Sequence, residues 1–185
     1  MQSAVWAVGL SLMASLVLPG VAGAATAQAI DEAANQSLAM FKSTVKGADE
    51  LLRDAKAYLI FPRVTQAGIG IGGQYGEGVL RIGGRSAGYY SISGGSIGIT
   101  FGAETKSVLL AFTDDQALKQ FQAKARADQS WQWGIDGAVA LVDVGSQGDV
   151  NSATINQPIE GFVYDQSGLF FNLSLQGTKI AELQR

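Results

Sequence analysis

The chain has 185 residues, no Cys, no His, 24 Gly and a formal net charge of −3. That length suits one domain, and without Cys or His there are no disulfides, no thiolate metal site, no cysteine nucleophile and no imidazole base or ligand. The mild acidic balance argues against a nucleic-acid partner, which requires clustered positive surface.

The run from Ala4 to Ala24 contains no charged residue. Small residues follow it, and A-x-A cleavage patterns fit Ala22-Gly23-Ala24, Ala25-Thr26-Ala27 and Ala27-Gln28-Ala29. This reads as a signal peptide over residues 1–24, although no Lys or Arg precedes the apolar run. The rival reading is a membrane anchor, because the run approaches the roughly 20 residues needed to span a bilayer. Pro19, Gly20 and the small-residue tail favour cleavage. The expectation is therefore export to the periplasm, the cell envelope or the medium, with one domain over residues 25–185.

From Ile30 to Lys56 the pattern is helical. Ala34, Leu38, Phe41, Val45, Ala48, Leu52 and Ala55 alternate at steps of four and three, forming one apolar stripe. Gly47 interrupts it, so a kink or break is expected there, and Pro62 ends any helix before Phe61. At about 100° per residue, Lys42, Lys46, Arg53 and Lys56 fall within about 80° of one another, beside the stripe. Arg63 lies just beyond. A basic flank next to an apolar face is what a helix lying in a membrane interface needs, and Phe41 or Leu38 would supply the insertion. The bland alternative is a core-packed helix with a solvated, ion-paired face, pairing Asp49 with Arg53 and Lys46 with Glu50.

After Tyr58 the period becomes two. "AYLIF", "AGIGIGGQ", "GVLRIGG", "GYYSISGG", "SIGITFG" and "SVLLAFT" read as six strands with short Gly-rich or polar joints. "QAGIGIGGQYGEG" matches G-x-G-x-x-G at Gly68, Gly70 and Gly73. A dinucleotide loop requires a helix after the glycines and an acidic residue about 20 positions on. Neither is present, and the glycines instead alternate with Ile69 and Ile71 along a strand. The same layout recurs at Ile97, Ile99 and Phe101. The bare glycine face is either close packing of the protein's own backbone or a groove for an acyl chain or headgroup.

"TDDQALKQFQAKARA" reads as a helix capped by Thr113 or Asp114. "WQWGIDGAVALVDV" and "IEGFVYDQSGLFFNLSLQG" read as strands, with a hairpin turn at Gln166-Ser167-Gly168 and a short helical turn at the C-terminus. Trp131 with Trp133, and Tyr89 beside Tyr90, suit either a membrane interface or an ordinary core. Asp114, Asp115, Asp136, Asp143, Asp149 and Asp165 form no recognisable catalytic pair. "DVGSQGDVN", Asp143 to Asn151, is a weak oxygen-ligand calcium candidate without EF-hand order, and no metal or cofactor is expected. The fold class is α+β: a mainly antiparallel Gly-rich sheet, sandwich- or barrel-like, with an N-terminal amphipathic helix and one further helix.

Three segments in this order carry a family resemblance: "AKAYLIFPRVTQAGIGIGGQYGEGVLRI", "GYYSISGGSIGITFGAETKSVLLAFTDDQAL" and "GFVYDQSGLFFNLSLQGTKI". Over roughly Phe41 to Leu183 the chain resembles the SYLF domain family, also known as the yeast-type actin-binding domain family. The resemblance implies a non-enzymatic lipid-binding domain; some eukaryotic relatives bind phosphoinositides or bundle actin. For this chain it implies contact with anionic phospholipid or a membrane surface; the helix pattern, not the resemblance, supplies Lys42, Lys46, Arg53, Lys56, Arg63 and Phe41 as the candidate residues. A structural envelope protein that binds a protein partner is the alternative.

Overall fold

A computed structural model describes residues 25–126, 129–144, 157–168 and 177–185, with backbone alone at 70, 96–101 and 143. The signal-like segment, most of the calcium candidate and the "LFFNLSLQ" run lie outside the described residues.

Helix α1 runs Ala27–Thr44 and α2 runs Ala48–Asp54. The expected break is at Gly47, whose φ of +79° is left-handed and favours residues without a Cβ. Thr26 caps α1 by accepting from the Ala29 amide at 3.2 Å.

Two long strands follow, β1 (Ala57–Ile82) and β2 (Arg85–Phe112). They pair antiparallel from Ala57↔Phe112 to Ile82↔Arg85. Gly83 and Gly84 both have positive φ and make the two-residue turn between them. The six short strands expected here are therefore two. The Gly-rich joints are bends and bulges inside a continuous ladder, with register shifts at Phe61/Val64, Ile69/Ile71 and Leu80/Arg81.

The ribbon is doubled over. A Cβ on Gly76 would lie 2.6 Å from the Arg63 carbonyl oxygen and 3.1 Å from the Val64 Cα. One on Gly78 would strike the Ile60 carbonyl and lie 2.6 Å from the Phe61 ring. In a straight strand, residues 64 and 76 would stand roughly 40 Å apart. The fold-back comes near residues 68–72, where a Cβ on Gly68 would collide with the Gly72 backbone. The bare glycine face at Gly68 and Gly72 is thus filled by the protein's own chain.

The outer edge of β2 receives two further strands. Strand β6 (Lys179–Leu183) pairs with Tyr89–Ser93, and β5 (Ile159–Gly168) pairs with Glu104–Phe112. Short β3 (Trp131–Gln132) extends β6, and β4 (Val139–Asp143) lies parallel to β5. The order is β3-β6-β2-β5-β4, with β1 on β2. This architecture is α+β and mostly antiparallel, as expected; the sheet is a curled half-barrel, and the helices are α1, α2 and one further helix, Asp115–Lys124.

Three local expectations are corrected. The run "WQWGIDGAVALVDV" is split into β3 and β4 by a turn in which Asp136 accepts from the Gln132 amide at 2.8 Å. Gln166-Ser167-Gly168 is no hairpin turn. Strand β5 continues through it, and Asp165 (φ 53°) and Gln166 form a bulge between the Ser107↔Tyr164 and Thr105↔Ser167 pairs. The C-terminus is strand β6, not a helical turn, because β2 offers it an open edge.

Strand alternation sends side chains to two cores. Leu59, Phe61, Leu80, Ile92, Val108 and Leu110 point into the doubled ribbon. Helix α3 (Asp115–Lys124) closes that core with Phe121, whose ring meets Tyr90, Phe112 and Trp131 at 5.3, 5.0 and 5.6 Å. Asp114 caps α3 by accepting from the Ala117 amide at 2.9 Å. Ile60, Val79, Leu109, Phe162 and Tyr164 face outward and are covered by Ile30, Ala34, Phe41 and Val45 of the α1 region.

The close approach yields a test. Gly78→Ala should cost at least the roughly 1–3 kcal/mol of an overpacked core, measured by urea unfolding. Gly73→Ala, whose Cβ would sit 3.8 Å from its nearest neighbour, should change stability by less than about 1 kcal/mol.

Candidate functional site

Helix α1 is fastened to the sheet at fixed points, and these decide which faces remain free. The Asp31 carboxylate accepts from Ser86 Oγ at 2.6 Å, Tyr89 Oη at 2.7 Å and Arg81 Nη2 at 3.1 Å. Burial pushes this carboxyl up, but the Ser86 and Tyr89 hydroxyls and the Arg81 guanidinium outweigh it and hold it below its usual value. Ser37 Oγ and Tyr164 Oη form a buried hydrogen bond of 2.7 Å. Phe41 is 0% exposed and packs on Phe162 and Tyr164, with centroids at 5.3 and 5.1 Å. Phe41 is therefore a core residue rather than a free membrane anchor. The apolar stripe it belongs to is the face that binds the sheet.

The break at Gly47 also rearranges the basic flank. Lys42 sits at the end of α1, Lys46 in the turn, Arg53 on α2 and Lys56 just after it. Lys42, Arg53 and Lys56 line one shallow cleft of about 390 Å³ with Leu52, Tyr58 and Gly83. The turn folds Asp49 back to 2.8 Å from Lys42, a pairing a continuous helix would not make, and the contact raises the Lys42 pKa. Arg53 lies 3.6 Å from Glu50 and 3.3 Å from Asp54. Four cations and three carboxylates leave this corner with one net positive charge. Arg63 is elsewhere, exposed at a groove of about 980 Å³ between α1 and β1, with Ala29, Ala33, Met40, Tyr75 and Asp165.

The aromatic pairs are absorbed by packing. Trp131 and Trp133 are buried and meet edge-to-face at 6.3 Å, and Tyr90 is buried with its hydroxyl pushed up to about 12, mainly by burial. Tyr89 is held by Asp31. Asp136 binds Lys124 at 3.1 Å besides the turn amide, which makes it a structural carboxylate. No cluster of three metal-ligating side chains occurs among the described residues.

Sequence reasoning missed an exposed apolar tip. Ile69 and Ile71 are 80% and 73% exposed on the outside of the ribbon's bend, and Tyr75 follows at 52%. The register places Phe101 opposite Ile69 and Ile97 opposite Ile71. No charged residue occurs in 66–76 or 91–103, the two arms of this bend. The signal was legible as isoleucines on a strand whose other face is bare. Such a strand can bury only its glycine side against itself. Bend and basic corner lie at opposite ends of the doubled ribbon, separated by on the order of 30–40 Å of strand.

A second missed feature is Glu160, 2% exposed on β5, whose Oε2 has no hydrogen-bond partner. Burial pushes its carboxyl up.

With this geometry in place, comparison with known proteins is informative. The Ysc84 family model, described as "Las17-binding protein actin regulator", matches residues 93–185, half of the chain. No curated protein matches the sequence. The chain belongs to this family, the SYLF domain family that its sequence resembles, which is a family of binding domains. No helix among the described residues is long and apolar enough to cross a membrane.

Two pH-dependent outcomes follow. The folded Asp31 pKa is lowered, so its stabilisation is present above the unfolded value and is lost as pH falls through the folded one. Asp31→Asn should cost about 1.5–3 kcal/mol at neutral pH and converge with the parent in acid, read by unfolding at stepped pH. The folded Glu160 pKa is raised, so this residue favours the folded state least once pH has risen past its folded value. Glu160→Gln should therefore raise Tm at neutral pH and lose that advantage in acid, followed by thermal melts.

Proposed function

We propose that the protein is an exported, non-catalytic domain that binds phospholipid at the bacterial envelope. The observation that carries this reading is the charge-free tip where Ile69 and Ile71 stand in solvent. Burying an isoleucine in hydrocarbon contributes roughly 1.5–3 kcal/mol, so the pair is worth about 3–6 kcal/mol on insertion. A cation near an anionic surface adds about 1 kcal/mol, and the corner of Lys42, Lys46, Arg53 and Lys56 has only one positive charge in excess. In this reading the tip supplies affinity and the cations a weak preference for anionic lipid. Arg63 would reach a headgroup only along the α1 groove. Family membership and the signal-like segment at Ala4–Ala24 support the same reading.

A protein partner is the second reading. The family's description names one, and β1 pairs with β2 alone among the described strands, leaving its other edge open for an added strand.

Flotation of residues 25–185 with anionic and neutral vesicles, at low and high salt, separates these. Ile69→Ser with Ile71→Ser should lower partition at least tenfold on both vesicle types. Converting Lys42, Lys46, Arg53 and Lys56 to Gln should lower it less than tenfold, on anionic vesicles and at low salt only. No flotation under any condition would sink the lipid reading.

A further inference from the structure

Glu160 sits at the wall of a cavity of about 410 Å³ between α2 and β5. The cavity exists because of strand register. Glu160 pairs with Ala111 on one side and Ala140 on the other, so neither cross-strand neighbour has a side chain long enough to cover it. The roof is the α1–α2 turn and α2 itself, through Val45, Gly47, Leu51 and Ala55, with Phe162 beside the carboxyl. The volume lies within the range of roughly 300–1,000 Å³ usual for small-molecule sites.

Two observations point to the ligand's chemistry. The Glu160 carboxylate is buried with Oε2 unpartnered, and a group in that state is costly unless something donates to it. At the rim, Glu50 and Asp54 lie 3.6 and 3.3 Å from Arg53, so the carboxylate at the wall that a ligand must satisfy is Glu160. The remaining wall is largely apolar. An ammonium group has three donors and no acceptor, and so satisfies that carboxylate.

We propose that this cavity is a binding site for a primary ammonium group on a short apolar body, with the Glu160 carboxylate as its counter-ion. The ammonium donates to Oε2, and the carbon chain lies against Val45, Leu51 and Phe162. A free amine and the ethanolamine headgroup of a lipid share this chemistry. The site does not depend on membrane insertion and lies in the helix-covered layer, apart from the exposed tip.

The test is titration of the full chain, followed by amide chemical shifts at Val45, Gly47, Leu51 and Phe162. n-Hexylammonium should bind saturably and n-hexanol at least tenfold more weakly. Monomeric lysophosphatidylethanolamine distinguishes the sources: competition with n-hexylammonium assigns a headgroup, and binding of the free amine alone assigns a soluble ligand. Glu160→Gln, with unchanged circular dichroism, should weaken n-hexylammonium at least tenfold. Ala55→Leu, which keeps the carboxyl and fills the cavity, should do the same. Absence of saturable n-hexylammonium shifts, equal binding of n-hexanol, or undiminished binding in either variant overturns the proposal.

Discussion

Everything in this molecule depends on one strand touching itself. Residues 60–64 and 76–78 of β1 meet backbone to backbone, and only the missing side chains of Gly76 and Gly78 allow it. Because β2 is paired to β1 along its length, it must fold with it. The inner face becomes a core without a second sheet, and α3 needs only to close its end. The outer face becomes a platform for α1 and α2.

The same constraint explains the polar residues inside. Toward the bend the ribbon is too close to hold large apolar side chains, and the interior there is Gln66, Glu104 and Lys106, with Lys106 Nζ donating to Gln66 Oε1 at 3.0 Å and lying 3.9 Å from Glu104. Gln74 donates to Thr178 at 2.7 Å nearby. Ile69 and Ile71 cannot turn into this space and remain on the convex side. The exposed tip is a consequence of how the ribbon bends, which makes it a surface available to function at no cost to the core.

Elements governed by local rules were legible from the residues. The α3 cap at Asp114, the helical stripe through Ala34, Phe41 and Val45, and the break at Gly47 all follow from spacing and from single-residue conformational preference. What local rules could not separate was a bend from a turn. "GIGIGGQ" and "SGGS" look like strand ends because Gly usually marks them, yet here the ladder runs on through. Asp165-Gln166-Ser167-Gly168 failed for the same reason, since a bulge uses the same residues as a hairpin turn.

The candidate site was partly legible. The basic residues are where the helical region predicts, but projection onto one continuous helix pairs Asp49 with Arg53, whereas the turn at Gly47 brings Asp49 to Lys42 and Arg53 lies beside Glu50 and Asp54. Phe41, offered for insertion on the interfacial reading, lies on the stripe that faces the sheet, as the core-packed alternative has it. Glu160 could not have been found at all. Its meaning lies in Ala111 and Ala140, residues 49 and 20 positions away that only the register brings beside it.

One carboxylate gives the domain a property of a different kind. Glu77 accepts from Tyr75 Oη at 2.8 Å, from the Ala25 amide at 3.2 Å and from Arg185 Nη2 at 2.9 Å. The first and last described residues are therefore tied to a single side chain, beside the α1 groove. Chain extended from either point departs from one place on the surface, about midway along the ribbon between the hairpin turn and the bend. A unit whose ends meet can be spliced into a longer polypeptide as a cassette.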